Sequence, residues 1–172
     1  ISLGRFFKYH KFDPKDESHV NSLLAVIGFI ENGNEKLHKK CFLALKSFVR
    51  TIRDVETIEK VSAFLLAYIE NIAAPTTINA LDVLSKWINS PLVLHKVVNE
   101  QVLQLFAALL EKKDPKLEKA VLKCIIAIYK SKIECQESRG EFLDYFIKFA
   151  SCCFDEGTPN PEYFLEILYT AA

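Results

Sequence analysis

Lys112, Lys116, Lys119, Lys123 and Lys130 follow one another at intervals of 4, 3, 4 and 7 residues. On an α-helix that spacing gathers all five ammonium groups on one face. The chemistry open to such a row is electrostatic: it attracts an acidic ligand, orients it and raises its local concentration. A second ridge, Lys36, Lys39, Lys40, Lys46 and Arg50, stands earlier in the chain. The competing expectation for both rows is a solvated helix face whose lysines serve solubility alone. Trp87, the one tryptophan, sits beside Lys86 in "LSKWINSP". It is expected to pack in the core or between repeats, or else to anchor a partner, since tryptophan is enriched at interface hot spots.

Residue types that could break or make bonds do not assemble into a motif. Cys152 and Cys153 are adjacent, without the second cysteine pair or histidines at fixed distance that zinc requires. His10, His19, His38 and His95 are scattered and show no H-E-x-x-H spacing. There is no G-x-G-x-x-G, phosphate-binding loop or G-x-S-x-G. The acidic pairs Asp155-Glu156 and Glu134/Glu137 fall in polar turns, where a carboxyl pKa raised for acid–base work is not expected. No catalytic residue, cofactor or metal is assigned, and the expectation is a binding protein and not an enzyme.

The charge balance narrows the ligand. The 172 residues carry 22 Lys/Arg and 22 Asp/Glu, a net charge of zero. Residues 1–132 hold 20 bases against 14 acids, and residues 133–172 hold 2 against 8. A nucleic-acid binder is usually basic throughout, with arginines and aromatics interleaved for stacking. This chain has four arginines, Arg5, Arg50, Arg53 and Arg139, and lysine lacks their bidentate fork. An acidic or amphipathic protein segment is therefore the expected partner, with nucleic acid second. The five cysteines are odd in number and irregularly spaced, which points to free thiols in a reducing compartment, nuclear or cytoplasmic. No apolar run approaches the roughly 18 residues that would span a membrane. The chain starts at Ile1 and contains no methionine, so a fragment of a larger protein is expected.

The elements that must position these residues are helical nearly throughout. Val20, Leu23, Leu24, Ile27 and Ile30 recur at helical spacing, as do Leu37, Cys41, Ala44, Leu45 and Phe48, and then Ile58, Val61, Leu65, Tyr68 and Ile69. Asp54, Asp114 before Pro115, and Asn160 before Pro161 mark helix starts, and Pro75 opens another helix. Four segments, 20–49, 58–88, 99–129 and 140–169, each read as helix, short turn, helix, with starts 38, 41 and 41 residues apart. A period near forty with two helices per unit is the signature of an α-solenoid, in which each hairpin hides its apolar face against its neighbours.

On "DPKLEKAVLKCIIAIY" and "NEKLHKKCFLALKSFV" the chain resembles HEAT-repeat and armadillo-like proteins. Leu117, Ala120, Leu122 and Ile125 fall near the aliphatic and small positions of the HEAT pattern, as do Leu37, Cys41, Ala44 and Leu45. It departs from the family where an Asp and an Arg often link neighbouring repeats; Asp114 and Lys119 come nearest. The resemblance implies an all-α, right-handed solenoid of about four repeats, at 17–52, 54–90, 91–132 and 133–172, in one domain. Residues 1–16 would be a cap in which Phe6, Phe7 and Tyr9 cover the open end of the core. It also implies that the second helix of each hairpin lines the inner wall, which would put the lysine rows there. The expected function is a scaffold that docks another protein on that wall or on an exposed terminal repeat. A compact eight-helix peptide- or headgroup-binding domain of the VHS, ENTH or polymerase-tail-binding kind is the first alternative. A nucleic-acid-binding HEAT-like module is the second. HEAT-like glycosylases use an acid and aromatics in a basic cleft, but Asp82 and Trp87 would point roughly 140° apart on a regular helix.

Overall fold

The computed structural model describes residues 11–32, 35–71, 74–132 and 160–171. They are helical, with no strand among them. The helices are α1 (Glu17–Asn32), α2 (Glu35–Val49), α3 (Val55–Asn71), α4 (Ala74–Trp87), α5 (Pro91–Val97), α6 (Glu100–Leu110), α7 (Pro115–Lys132) and α8 (Pro161–Ala171). They fall into two compact units, Ile1–Trp87 and Ile88–Ala172.

In the first unit α1 packs on α2, α3 on α4, and the two hairpins meet where α2 packs on α4. Each helix turns an i, i+3, i+7 stripe inward: Leu23, Val26 and Ile30 from α1, and Phe42, Leu45, Phe48 and Val49 from α2. Ile58, Val61, Leu65 and Ile69 come from α3, and Leu81, Leu84 and Trp87 from α4. Each such side chain contributes about 1.5–3 kcal/mol through burial. Phe42 meets Tyr68 edge-on with ring centroids 5.3 Å apart. The inward face of α1 is rotated from the expected one. Leu24 is exposed and Val26 is buried, because a continuous apolar run leaves several stripes to choose from and packing against α2 decides. Leu37, expected inside, is also exposed.

Of the expected cap, Phe6, Phe7 and Tyr9 lie outside the described residues. Phe12, the next aromatic, is buried, edge-on to Phe48 at 6.4 Å and stacked on His19. The His19 Nδ1 accepts the Asp13 backbone N–H at 3.1 Å, which ties the segment to α1.

In the second unit α7 is central, packing on α5, α6 and α8. Leu117, Ala120, Val121, Leu122 and every residue from Cys124 to Tyr129 are buried. A helix apolar around most of its circumference belongs inside a core. Ser131 Oγ donates to the Ile88 carbonyl at 3.1 Å, holding the last turn of α7 to the start of this unit. The short α5 lies inside the expected 91–132 repeat; at seven residues it is too short to show a periodic face.

The starts follow the capping residues. The Asp54 carboxylate accepts the Thr57 N–H at 2.8 Å, and Asp114 accepts those of Lys116 and Leu117 at 2.8 and 3.0 Å. Asn99 does the same for Val102 at 3.0 Å. Between α6 and α7, Lys113 takes φ 53, the left-handed region that closes a helix and favours glycine. Asn160 stands immediately before α8, where the cap is expected, and its side chain also reaches across to α7. Its buried amide nitrogen donates to the Pro115 carbonyl at 3.0 Å and to Glu118 Oε1 at 2.9 Å, tying the start of α8 to the start of α7. Among the described residues no helix is long and apolar enough to cross a membrane.

Candidate protein-docking surface

The lysine row of α7 falls where packing leaves room for it. Lys116, Lys119, Lys123 and Lys130 are exposed, while residues 117, 118, 120–122, 124–129 and 131 are buried. At about 100° per residue the four lysines lie within roughly 60° of one another's direction. They occupy the one stripe of this core helix that water reaches. Lys112, in the preceding turn, is exposed too.

The row is not uniform. Lys119 Nζ stands 5.2 Å from the centroid of the Tyr163 ring on α8, within cation–π range. Lys130 Nζ donates to Glu166 Oε1 at 2.8 Å, again on α8. These two lysines fasten α7 to α8. Lys112, Lys116 and Lys123 remain as the outward part of the row.

In the first unit Lys36, Lys39, Lys40 and Arg50 are exposed. Lys46 is not: its ammonium pairs with the Asp82 carboxylate of α4, with its side chain 22% exposed. Here too one lysine joins two packed helices, α2 and α4, and its partner again lies 36 residues on. The sequence signal for these links was a single base on each row with an acid one helix pair later. A search for the Asp–Arg pairing of HEAT repeats passes over it.

The face of α2 differs in having an apolar centre. Leu43 is 55% exposed. By helical geometry Lys36, Lys39, Lys40 and Arg50 all lie within roughly 60° of its direction. The outer face of α8 has the opposite chemistry. Leu165 and Tyr169, one turn apart, are 60% and 88% exposed, and Glu162 is exposed beside them.

Lys86 is exposed and Trp87 is buried. Trp87 offers no surface to a partner, and its indole Nε1 meets no acceptor among the described residues. Cys41 is a free thiol, and burial pushes it up from its ordinary value; Cys124 is buried in α7. Cys135, Cys152 and Cys153, both acidic pairs and the first helix of the 140–169 segment lie outside the described residues. Among the described residues no three His, Cys, Asp or Glu side chains converge as a metal site would require. Set against protein families, curated proteins and solved structures, the chain matches none of them.

Proposed function

We propose that this chain is a non-enzymatic HEAT-like hairpin-repeat scaffold. It docks an acidic or amphipathic segment of another protein on the basic faces of its hairpins' second helices. The observation that carries this is the exposure of Lys112, Lys116 and Lys123 along the one wet stripe of a helix otherwise closed in. Lys39, Lys40 and Arg50 supply a second exposed basic face on α2. The repeat arrangement draws support from the packing of α2 on α4 and of α7 on α8, second helix against second helix. An intracellular site, nuclear or cytoplasmic, belongs to this proposal and is supported by the odd number and irregular spacing of the five cysteines.

The test uses the whole chain and a fluorescent acidic amphipathic peptide, followed by anisotropy at low and physiological salt. Reversing Lys112, Lys116 and Lys123 to Glu, or Lys39 and Lys40 to Glu, is expected to weaken binding by at least about tenfold while helicity is unchanged. Unchanged binding by both variants overturns the proposal. A single-stranded oligonucleotide in the same assay decides the nucleic-acid alternative, whose binding would fall steeply with salt.

A further inference from the structure

We propose that the basic face of α2 takes, as one of its ligands, the outer face of α8 from a second copy of this chain, in a head-to-tail contact. This rests on the docking role proposed above for α2 and names a partner for it.

The first support is where the exposed apolar surface lies. On α2 Leu43 is exposed at the centre of the basic face, and on α8 Leu165 and Tyr169 are exposed one turn apart; Leu24, Phe29 and Leu37 are exposed elsewhere on the first hairpin. Only Val55 and Leu92 lie elsewhere among the described residues.

The second support is that the two faces are complementary in charge. Leu43 stands among exposed Lys39, Lys40 and Arg50. Leu165 and Tyr169 stand beside exposed Glu162, with Glu166 at the flank already accepting from Lys130. A basic face with an apolar centre and an acidic face with an apolar centre meet all the requirements of a helix-against-helix contact: apolar anchors inside, opposite charges around them. Neither face complements itself. Two α2 faces would set lysines against lysines, and two α8 faces carboxylates against carboxylates, which costs affinity. The contact is therefore heterologous, one copy's α2 to the next copy's α8, and it adds copies in a line or closes a ring.

Two variants of the whole chain test this by sedimentation velocity. Variant A carries Lys39→Glu, Lys40→Glu and Leu43→Ser, which blocks the α2 face. Variant B carries Leu165→Ser and Tyr169→Ser, which blocks the α8 face. All five positions are exposed, so helicity by circular dichroism is expected to match the parent. The parent should grow beyond one chain mass as concentration rises and shrink again with salt. A alone and B alone should each remain one chain mass. An equimolar mixture of A and B should form a species of two chain masses and no larger. This is because A still offers its α8 face and B its α2 face. Association of A alone or of B alone, no A–B species, or a parent that stays single at hundreds of micromolar each overturns the contact. Binding of the acidic amphipathic peptide to B separates the two levels. If B binds peptide and the parent does not associate, the docking surface stands and the second copy is excluded as its ligand. If B binds no peptide, the docking role of α2 falls as well.

Discussion

α2 and α7 hold the two lysine ridges of this chain, and they hold them differently. In α2 the bases surround an exposed leucine, and one of them, Lys46, turns away to meet Asp82 on α4. In α7 the bases stand on a stripe with no exposed apolar residue in it, and Lys119 and Lys130 reach α8. The spacing of the lysines is nearly the same; what differs is how much of the helix each unit encloses. α7 is packed on several sides by α5, α6 and α8, so its one wet stripe must be fully polar. α2 keeps a broader outward face, and there an apolar residue can remain available to a partner. Charge alone marks a face as wet, and the company the charge keeps separates a solubilising row from a docking surface.

The strongest way to probe the comparison is to open each core. Phe48 in α2 and Phe164 in α8 are both fully buried. Phe48→Ala and Phe164→Ala should each cost about 3–5 kcal/mol in denaturant unfolding, from lost burial and the cavity left behind. The two should agree within about 1.5 kcal/mol if both units are packed to the ordinary interior density. A cost near zero for either would show that its helix is not held as described.

Next in size is the Asn160 tie between α8 and α7 in the second unit. Asn160→Ala removes the donor to Pro115 and to the buried Glu118 carboxylate and should cost about 1–3 kcal/mol. Asn160→Asp should cost more at neutral pH, because it sets a second carboxylate beside Glu118, and should regain stability as the pH falls and one of the two takes a proton. An aspartate variant as stable as the parent at pH 7 would show that the tie does not hold the two helix starts together.

Helix caps come third. Asp54→Ala and Asp114→Ala should each lose about 1 kcal/mol. Hydrogen bonding from Thr57, its side chain foremost, holds the Asp54 carboxyl below its ordinary value of 3.8 against a small opposing desolvation. A carboxyl lowered on folding stabilises the native state above its unfolded pKa and loses that contribution as pH falls through the folded value. The gap between Asp54→Ala and the parent should therefore be full at pH 7 and narrow below about pH 4. A gap independent of pH between 7 and 2.5 would mean that the carboxylate charge is not what caps α3.

Those caps were legible because Asp-x-x and Asp-Pro act over three residues of chain, with no help from the rest of the fold. The all-helical class and seven of the eight described helices were legible for the same reason: a 3.6-residue period is written locally. What could not be read was anything decided across helices. The inward stripe of α1 was uncertain because Leu23, Leu24, Val26 and Ile27 leave several choices until α2 packs against them. Asn160 looks like a cap in sequence, but the bond its amide nitrogen makes to a buried carboxylate 42 residues away could not be read there. The ridges were seen, yet which lysines face outward depends on Asp82, Tyr163 and Glu166, all on other helices.

The smallest effects decide that last point. Lys46→Ala should destabilise more than Lys130→Ala. Lys46 makes its ion pair with the side chain 22% exposed, and Lys130 makes its own at 54%, where water screens it and the expected cost is within about 0.5 kcal/mol. Double-mutant cycles with Asp82→Ala and Glu166→Ala isolate each pair from the packing of the lysine stems. Replacing Lys112, Lys116 and Lys123 together by Ala should leave unfolding within about 0.5 kcal/mol of the parent. If that triple change destabilises by more than the loss of Lys46, the outward row is part of what holds α7 in place. Its exposure would then be no argument for a ligand, and the distinction between fastening lysines and presenting lysines would collapse.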